Sequence, residues 1–220
     1  MTRRTASRTV ENAVRRLGFS RVVGVDEVGR GCLAGPVVAA AVVLHPDRPI
    51  AGVRDSKLLT PAARERLYCE IIERASAWTI ASAGPREVDQ LNVHQASLQA
   101  MRRAIDGLAP LPDFVLVDGF RIPDLLLPQR PIIGGDRRCA AIAAASIVAK
   151  VTRDREMREL HSLDPRYGFD RHKGYATAQH LEAVARFGYS QVHRTSFRPR
   201  LLFERIENPV IRQDRGTEGG

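Results

Sequence analysis

Four carboxylates of this 220-residue chain stand where apolar runs stop. Asp26 and Glu27 follow the β-branched run RVVGV, Asp118 closes DFVLV, and Asp136 lies in GGD just before a long alanine-rich stretch. Acids collected at strand ends and at a helix start repel one another unless a cation neutralises them. Hard oxygen donors of this kind select Mg²⁺ or Mn²⁺ over zinc. A single strand-end aspartate usually only turns or caps the chain, so the inference rests on the group. Adjacent strand residues point to opposite faces, and Asp26 and Glu27 therefore share a site only if the strand has ended or bulged there. The glycine-rich stretch that follows them allows this.

Gly29-Arg30-Gly31 opens GRGCLAG, which fits a dinucleotide fingerprint loosely. That fingerprint requires a helix next, whereas Pro36 and VVAAAVVL read as a strand. The better reading is a backbone that approaches a ligand closely because glycine has no Cβ, with amides free for a sugar or phosphate. Arg171-His172-Lys173-Gly174-Tyr175 adds cations, a glycine and a ring, a combination able to hold a phosphate while the ring stacks on a sugar or base. Residues 150–200 carry 11 Lys/Arg against 6 Asp/Glu, with four of the six histidines. His172, His180 and His193 match no zinc spacing, and each alone reads as a surface or packing residue. Cys32 sits in the glycine loop without the histidine and asparagine of a thiol nucleophile.

The elements that must position these groups can be read from pattern. Residues 21–25 and 36–44 read as two strands joined tightly, a hairpin with the acids at its turning end. Thr60 and Pro61 cap and open a helix to about Ala75. Residues 78–83 form a strand, 85–105 an amphipathic helix, 113–117 a buried strand, 135–160 a long helix with a small-residue face, and 177–187 a last helix. Strands cluster early and helices late, which gives a mixed α/β domain with a helical C-terminal part. Val10, Val14 and Leu17 repeat at helical spacing. The basic, acid-poor start resembles a transit peptide in composition, but reads better as a short helix docked on the body. The expected organisation is a basic N-terminal helix or extension over 1–20, a catalytic domain over 21–207 whose helical part begins near 160, and a disordered tail over 208–220.

Composition sets the partners. The chain carries 34 Lys/Arg against 25 Asp/Glu, a formal charge of +9, with 44% hydrophobic and 27% charged residues. Such a balance excludes wholesale disorder and points to a polyanion, most often nucleic acid. A chain this long can bury roughly 70% or more of its unfolded surface in one core. Cys32, Cys69 and Cys139 are scattered, which argues against a disulfide framework or a cysteine zinc site and favours a reducing, cytoplasmic setting. No apolar run reaches membrane-spanning length. Only three of the 34 cations are lysine, Lys57, Lys150 and Lys173, positions where a compact ammonium serves better than a planar fork.

All three lysines fall inside a set of motifs. VGVDEVGRGCLAGPVVAAAV, DSKLL, NVHQASLQAM, VLVDG, AAASIVAKVTRDR and YGFDRHKGYAT followed by HRTSF resemble, in order and over residues 21–197, the bacterial ribonuclease HII family, the type 2 ribonucleases H. The resemblance implies a ribonuclease H-like mixed sheet flanked by helices, with a C-terminal helical part clasping the duplex. It implies an endonuclease that cuts the RNA strand of RNA·DNA hybrids and single ribonucleotides embedded in duplex DNA, in primer processing and DNA repair. The metal-binding acids of the family map to Asp26, Glu27 and Asp118, and the fourth to Asp136. Asp154 in VTRDRE is the rival for that fourth place, disfavoured because it lies about five turns into the helix. Gly29, Arg30 and Gly31 correspond to the loop that senses the 2′-hydroxyl, and Tyr175 to the tyrosine that stacks on the sugar at the RNA–DNA junction. Lys57 and Lys173 are assigned to substrate binding. Val28 stands where many relatives carry alanine, and Cys32 where proline is common.

Two divalent ions about 3.5–4 Å apart, Mn²⁺ or Mg²⁺, are expected to serve phosphodiester hydrolysis. Asp26 would bridge them, leaving 3′-hydroxyl and 5′-phosphate ends. The competing readings are a basic protein that binds duplexes without cutting them and, less favoured, a nucleotide-binding α/β enzyme. A monomer is expected.

Overall fold

A computed structural model of the chain describes residues 6–54 and 56–197. Five strands form one mixed sheet: β1 (Val22–Val28), β2 (Val37–Val43), β3 (Ala77–Ala83), β4 (Phe114–Asp118) and β5 (Gln129–Ile132). Their order is β3-β2-β1-β4-β5, with β1–β2 and β2–β3 antiparallel and β1–β4 and β4–β5 parallel. The early hairpin is therefore as expected, and β1 is the central strand.

Alternation along these strands gives the sheet two apolar faces. Val22, Val38, Ala40, Val42 and Leu116 meet α5 (Ala140–Leu163) and α2 (Pro61–Arg74). Val23, Val25, Val37, Ala39, Ala41, Val115 and Val117 meet α4 (Val93–Asp106). The small-residue face of α5 explains its closeness to the sheet. A Cβ on Gly24 of β1 would lie 2.2 Å from the backbone of Ala141, so strand and helix touch main chain to main chain. A third cluster, Leu33, Met157, Tyr167, Phe169, Leu181 and Val184, joins the C-terminal half of α5 to α6 (Phe169–His172) and α7 (Ala178–Phe187).

Several local expectations hold because the capping chemistry is explicit. Thr60 accepts the Ala63 N–H at the start of α2, and Thr177 accepts the His180 N–H at the start of α7. Others are corrected. The helix expected over 85–105 is two, α3 (Pro85–Leu91) and α4, broken at Asn92, whose φ of 65° turns the chain and whose side chain accepts the His94 and Gln95 amides. The helix expected from Gly135 begins at Ala140, after a short 3₁₀ turn over Gly135–Arg137. β5 was hidden by Pro131, which an edge strand tolerates.

The N-terminal helix α1 (Thr9–Arg16) docks as expected, though by a different contact. Val14 is buried, but Leu17 is 76% exposed. The anchor is Glu11, 1% exposed, whose Oε1 accepts the Ala141 N–H at 2.7 Å. A carboxylate from α1 thus caps the positive end of α5, a contact of a kind that contributes about 1 kcal/mol. Among the described residues no helix is long and apolar enough to cross a membrane. Asp55 of DSKLL and the tail expected over 208–220 lie outside the described residues.

Candidate active site

β1 carries Asp26 and Glu27 near its C-terminal end, paired with Ala40 and Ala39 of β2. The strand neither ends nor bulges at the acids, so that expectation is corrected. Alternation puts Asp26 on the α5 face and Glu27 on the α4 face, and they meet at the end of the sheet instead. The Glu27 N–H donates to Asp26 Oδ1 at 2.7 Å. Asp118 ends the neighbouring strand one residue past the last β1–β4 pair, Val25 with Val117. Its Oδ1 accepts the Gly135 N–H at 2.6 Å, which ties the third acid to the turn that holds the fourth. Asp136 is buried, with Lys57 Nζ and Arg137 Nε each 3.9 Å from its oxygens.

These acids are held under electrostatic tension. Burial, then the charges of Glu27 and Asp118, push the Asp26 carboxyl well above the usual range, against hydrogen bonds from Ser146 and the Glu27 amide. Burial also raises Glu27, opposed by Arg30, whose Nη1 lies 3.1 Å from Oε1. Glu27 Oε2 is buried and, among the described residues, has no hydrogen-bond partner. Crowded, desolvated carboxylates with an unspent oxygen fit a hard divalent cation. Among the described residues, no group of three or more His, Cys, Asp or Glu side chains is already arranged as a metal cage.

Two serines escaped the sequence reading. Ser146 on α5 hydrogen-bonds Asp26, and its Oγ lies 3.0 Å from Ser56 Oγ. DSKLL and AAASIVAK are thereby linked to the first acid. The available signal was a lone hydroxyl within an alanine run. Asp154, the rival for the fourth place, lies eight residues along α5 from Ser146, about 12 Å at 1.5 Å per residue, and pairs with Lys150 at 2.5 Å. Its charge acts on Lys173 and Tyr175.

The two loops singled out in the sequence lie against each other. Cys32 bridges Tyr175, and the Leu33 N–H donates to the Gly174 carbonyl at 2.8 Å. Gly29, with φ 94°, is glycine for an internal reason, since a Cβ there would lie 2.2 Å from Arg153 Nε. Gly31 is different: a Cβ would meet nothing within 4 Å, and among the described residues the N–H groups of Arg30 and Gly31 donate to nothing. Of the two glycines, Gly31 is the one that leaves open space beside its backbone. Tyr175 is 42% exposed. Lys57 is solvent-exposed beside Asp136, and Lys173, at φ 51°, ends α6 with Nζ on the Asp170 carbonyl.

Beneath Tyr175 the three histidines are buried, as packing residues. His180 Nδ1 meets the Tyr175 carbonyl at 2.9 Å and so carries a proton; its Nε2 lies 3.0 Å from His193 Nε2, and His193 Nδ1 accepts the Ser190 N–H at 3.0 Å. That chain is consistent only with neutral rings. Burial drives both down to about 4. His172 Nδ1 accepts the Gly174 N–H at 3.2 Å. All three cysteines are free, and burial raises the Cys32 thiol, so the absence of a thiol nucleophile signature is matched by an inert setting.

A family model described as Ribonuclease HII matches residues 23–200. This chain belongs to the ribonuclease HII family. Similar solved structures include the ribonuclease H2 from Pyrococcus horikoshii OT3, with TM-score 0.70 and 26% identity over 86% of this chain and 99% of that one. The RNase HII of the PCNA:RNase HII complex from Archaeoglobus fulgidus gives 0.69 and 26% over 82% and 96%. Bst-RNase HIII in complex with Mn²⁺ gives 0.55 and 26% over 79% and 63%. As a ribonuclease HII, the chain is a metal-dependent ribonuclease of the H type acting on RNA–DNA substrates, and its mixed five-stranded sheet with flanking helices is the ribonuclease H-like fold.

Proposed function

We propose that this ribonuclease HII hydrolyses the RNA strand of RNA·DNA hybrids and also cuts duplex DNA at single embedded ribonucleotides. The observation that carries the reading is the meeting of the open Gly29-Arg30-Gly31 loop, with two unbonded amides, and the exposed Tyr175 ring. A single ribonucleotide differs from its neighbours by one 2′-hydroxyl, both donor and acceptor, and a site built around it leaves polar atoms unpaired when it is absent. The Tyr175 ring offers its face to the adjoining deoxyribose, with the Lys57 and Lys173 ammonium groups set for backbone phosphates.

Asp26, Glu27, Asp118 and Asp136 are the residues that would hold the ions, Mn²⁺ or Mg²⁺ and two in number. Bound there, divalent ions supply an activated water and stabilise charge on the phosphoryl and leaving oxygens. Asp26, which feels the charges of Glu27 and Asp118, would hold the ions together with them, and the Ser146 and Glu27 N–H hydrogen bonds steady its carboxylate. Gly135 orients Asp118 and sets Asp136 next to it. With water as the nucleophile, the products carry 3′-hydroxyl and 5′-phosphate ends.

The test is one incubation of a duplex carrying a single ribonucleotide, with Mg²⁺ or Mn²⁺, with and without EDTA. Metal-dependent cutting at the ribonucleotide alone is the expected result. Retained binding without cutting would leave only a duplex-binding protein, and cutting of hybrids but not of this substrate would remove the single-ribonucleotide half of the proposal.

A further inference from the structure

Two arginines have no exposed surface at all, Arg153 on α5 and Arg194 after α7. Among the described residues neither is ion-paired; each donates only to backbone carbonyls of the two loops. Arg153 gives Nε to Pro36 at 2.8 Å, Nη2 to Ala34 at 3.0 Å and Nη1 to Lys173 at 2.9 Å. Arg194 gives Nε and Nη2 to Gly35 at 3.0 and 2.8 Å, and Nη1 to Arg30 at 3.0 Å, with its guanidinium 5.3 Å from the Phe197 ring. The residues after Arg194 are clamped in turn. Asp89 of α3 accepts the amides and hydroxyls of both Thr195 and Ser196.

A buried guanidinium with no ion-pair partner is costly, and the more distant charges of Asp89 on Arg194 and of Glu156 near Arg153 offset it only in part. The geometry shows what it achieves. In a trans peptide the C=O of one residue and the N–H of the next point in opposite directions. Because Arg194 holds the Arg30 carbonyl inward, the Gly31 N–H of the same peptide unit is turned away from Arg194, and it is one of the two unbonded amides. Gly31 also leaves open space where a side chain would stand. Behind the loop, the Arg153 side chain fills the volume that a Cβ on Gly29 would need.

We infer that Arg194, supported by Arg153, is the positioning residue that aims the Gly31 N–H at the ribonucleotide and places positive charge behind it. This rests on the single-ribonucleotide reading above. A lysine at 194 keeps the charge but cannot hold Arg30 and Gly35 together with a planar fork, so Arg194→Lys isolates aiming from charge, and Arg194→Gln removes both.

The experiment compares wild type, Arg194→Lys and Arg194→Gln on a single-ribonucleotide duplex and its all-DNA counterpart, with melting curves and with metal-free duplex binding. A misplacement of about 1 Å can cost about 10²-fold. Arg194→Lys is expected to lose roughly 10- to 100-fold in kcat/KM at the ribonucleotide while all-DNA binding stays within twofold, and Arg194→Gln should in addition weaken binding of both duplexes. Wild type that does not discriminate overturns the single-ribonucleotide reading and this inference with it. Wild type that discriminates, beside a folded Arg194→Lys that discriminates equally, overturns the inference alone. Should the variants fail to fold, the amide resonance of Gly31 in ¹⁵N-labelled wild type decides: it shifts on adding the ribonucleotide duplex and not the all-DNA duplex, or the aim is wrong.

Discussion

The acid end of the sheet and the basic lattice beneath the two loops are both buried and charged, yet they are built on opposite terms. At the acid end, like charges crowd together, Asp26 is pushed far from its usual range, and a Glu27 oxygen has no hydrogen-bond partner among the described residues. Beneath the loops, every hydrogen bond that Arg153 and Arg194 donate among the described residues ends on a backbone carbonyl, and His180 and His193 form a closed neutral chain. The first region leaves its charges unresolved, and the second satisfies its donors from within. On the function proposed above, chemistry falls to the first and recognition to the backbone that the second holds.

Neutralising Asp26 should produce the largest effect. Several kcal/mol of charge stabilisation depend on the bound metal, so Asp26→Asn should cut cleavage by about 10³-fold or more while duplex affinity, carried by Lys/Arg contacts, survives. Cleavage within tenfold of wild type under saturating Mn²⁺ would break the comparison at its acid side. Next, Asp136→Asn should lose far more activity than Asp154→Asn, because Asp136 shares its turn with the Asp118 contact whereas Asp154 serves Lys150; the reverse order in a paired assay would exchange their roles.

On the loop side, stacking is worth about 1–3 kcal/mol per base by alanine substitution. Tyr175→Ala should therefore slow cutting at a single ribonucleotide by roughly 10- to 100-fold, and Tyr175→Phe only slightly. A folded alanine variant that cuts normally would reduce the ring to packing. The smallest effect is in acid. His180 and His193 have folded pKa values lowered to about 4 from near 6.5 when unfolded, so between those values the unfolded state binds more protons. Stability is full above pH 6.5 and is lost as pH falls toward 4. The histidine contribution to the melting temperature in metal-free buffer should decline over that window, against the opposite contribution of the raised Asp26 and Glu27 carboxyls. Wild type should therefore lose more than His180→Gln as pH falls; equal slopes would show that the chain of rings does not titrate with unfolding.

Much of this was legible in sequence. Apolar runs ended by Asp26, Glu27 and Asp118 are one-dimensional signals, and so are Thr60-Pro61 and the alanine face of α5. Asn92, by contrast, breaks a helix through a backbone angle that no periodicity announces. Nothing in one dimension marks Glu11, because its partner, the amide of Ala141, is 130 residues away. Arg153 and Arg194 were two among 31 arginines, and nothing in a sequence distinguishes a solvated guanidinium from one enclosed by carbonyls. A side chain would have open space at Gly31, whereas at Gly29 the close neighbour is the protein itself.

The bond from Arg194 to the Arg30 carbonyl spans 164 residues, and that span has a consequence for biosynthesis. Chains emerge from the ribosome N-terminus first. By residue 136 all four acids exist, and by residue 163 the last helix that packs on the sheet is complete. The Gly29–Pro36 loop, already made, must wait for the Gly174 and Val192 carbonyls to accept its Leu33 and Gly35 amides, and for Arg194 to hold its Arg30 and Gly35 carbonyls. A chain that stops short of Arg194 would own its acids and lack the bonds that fix the Arg30 and Gly35 carbonyls. On the function proposed above, selectivity is the last property this polypeptide acquires as it is made.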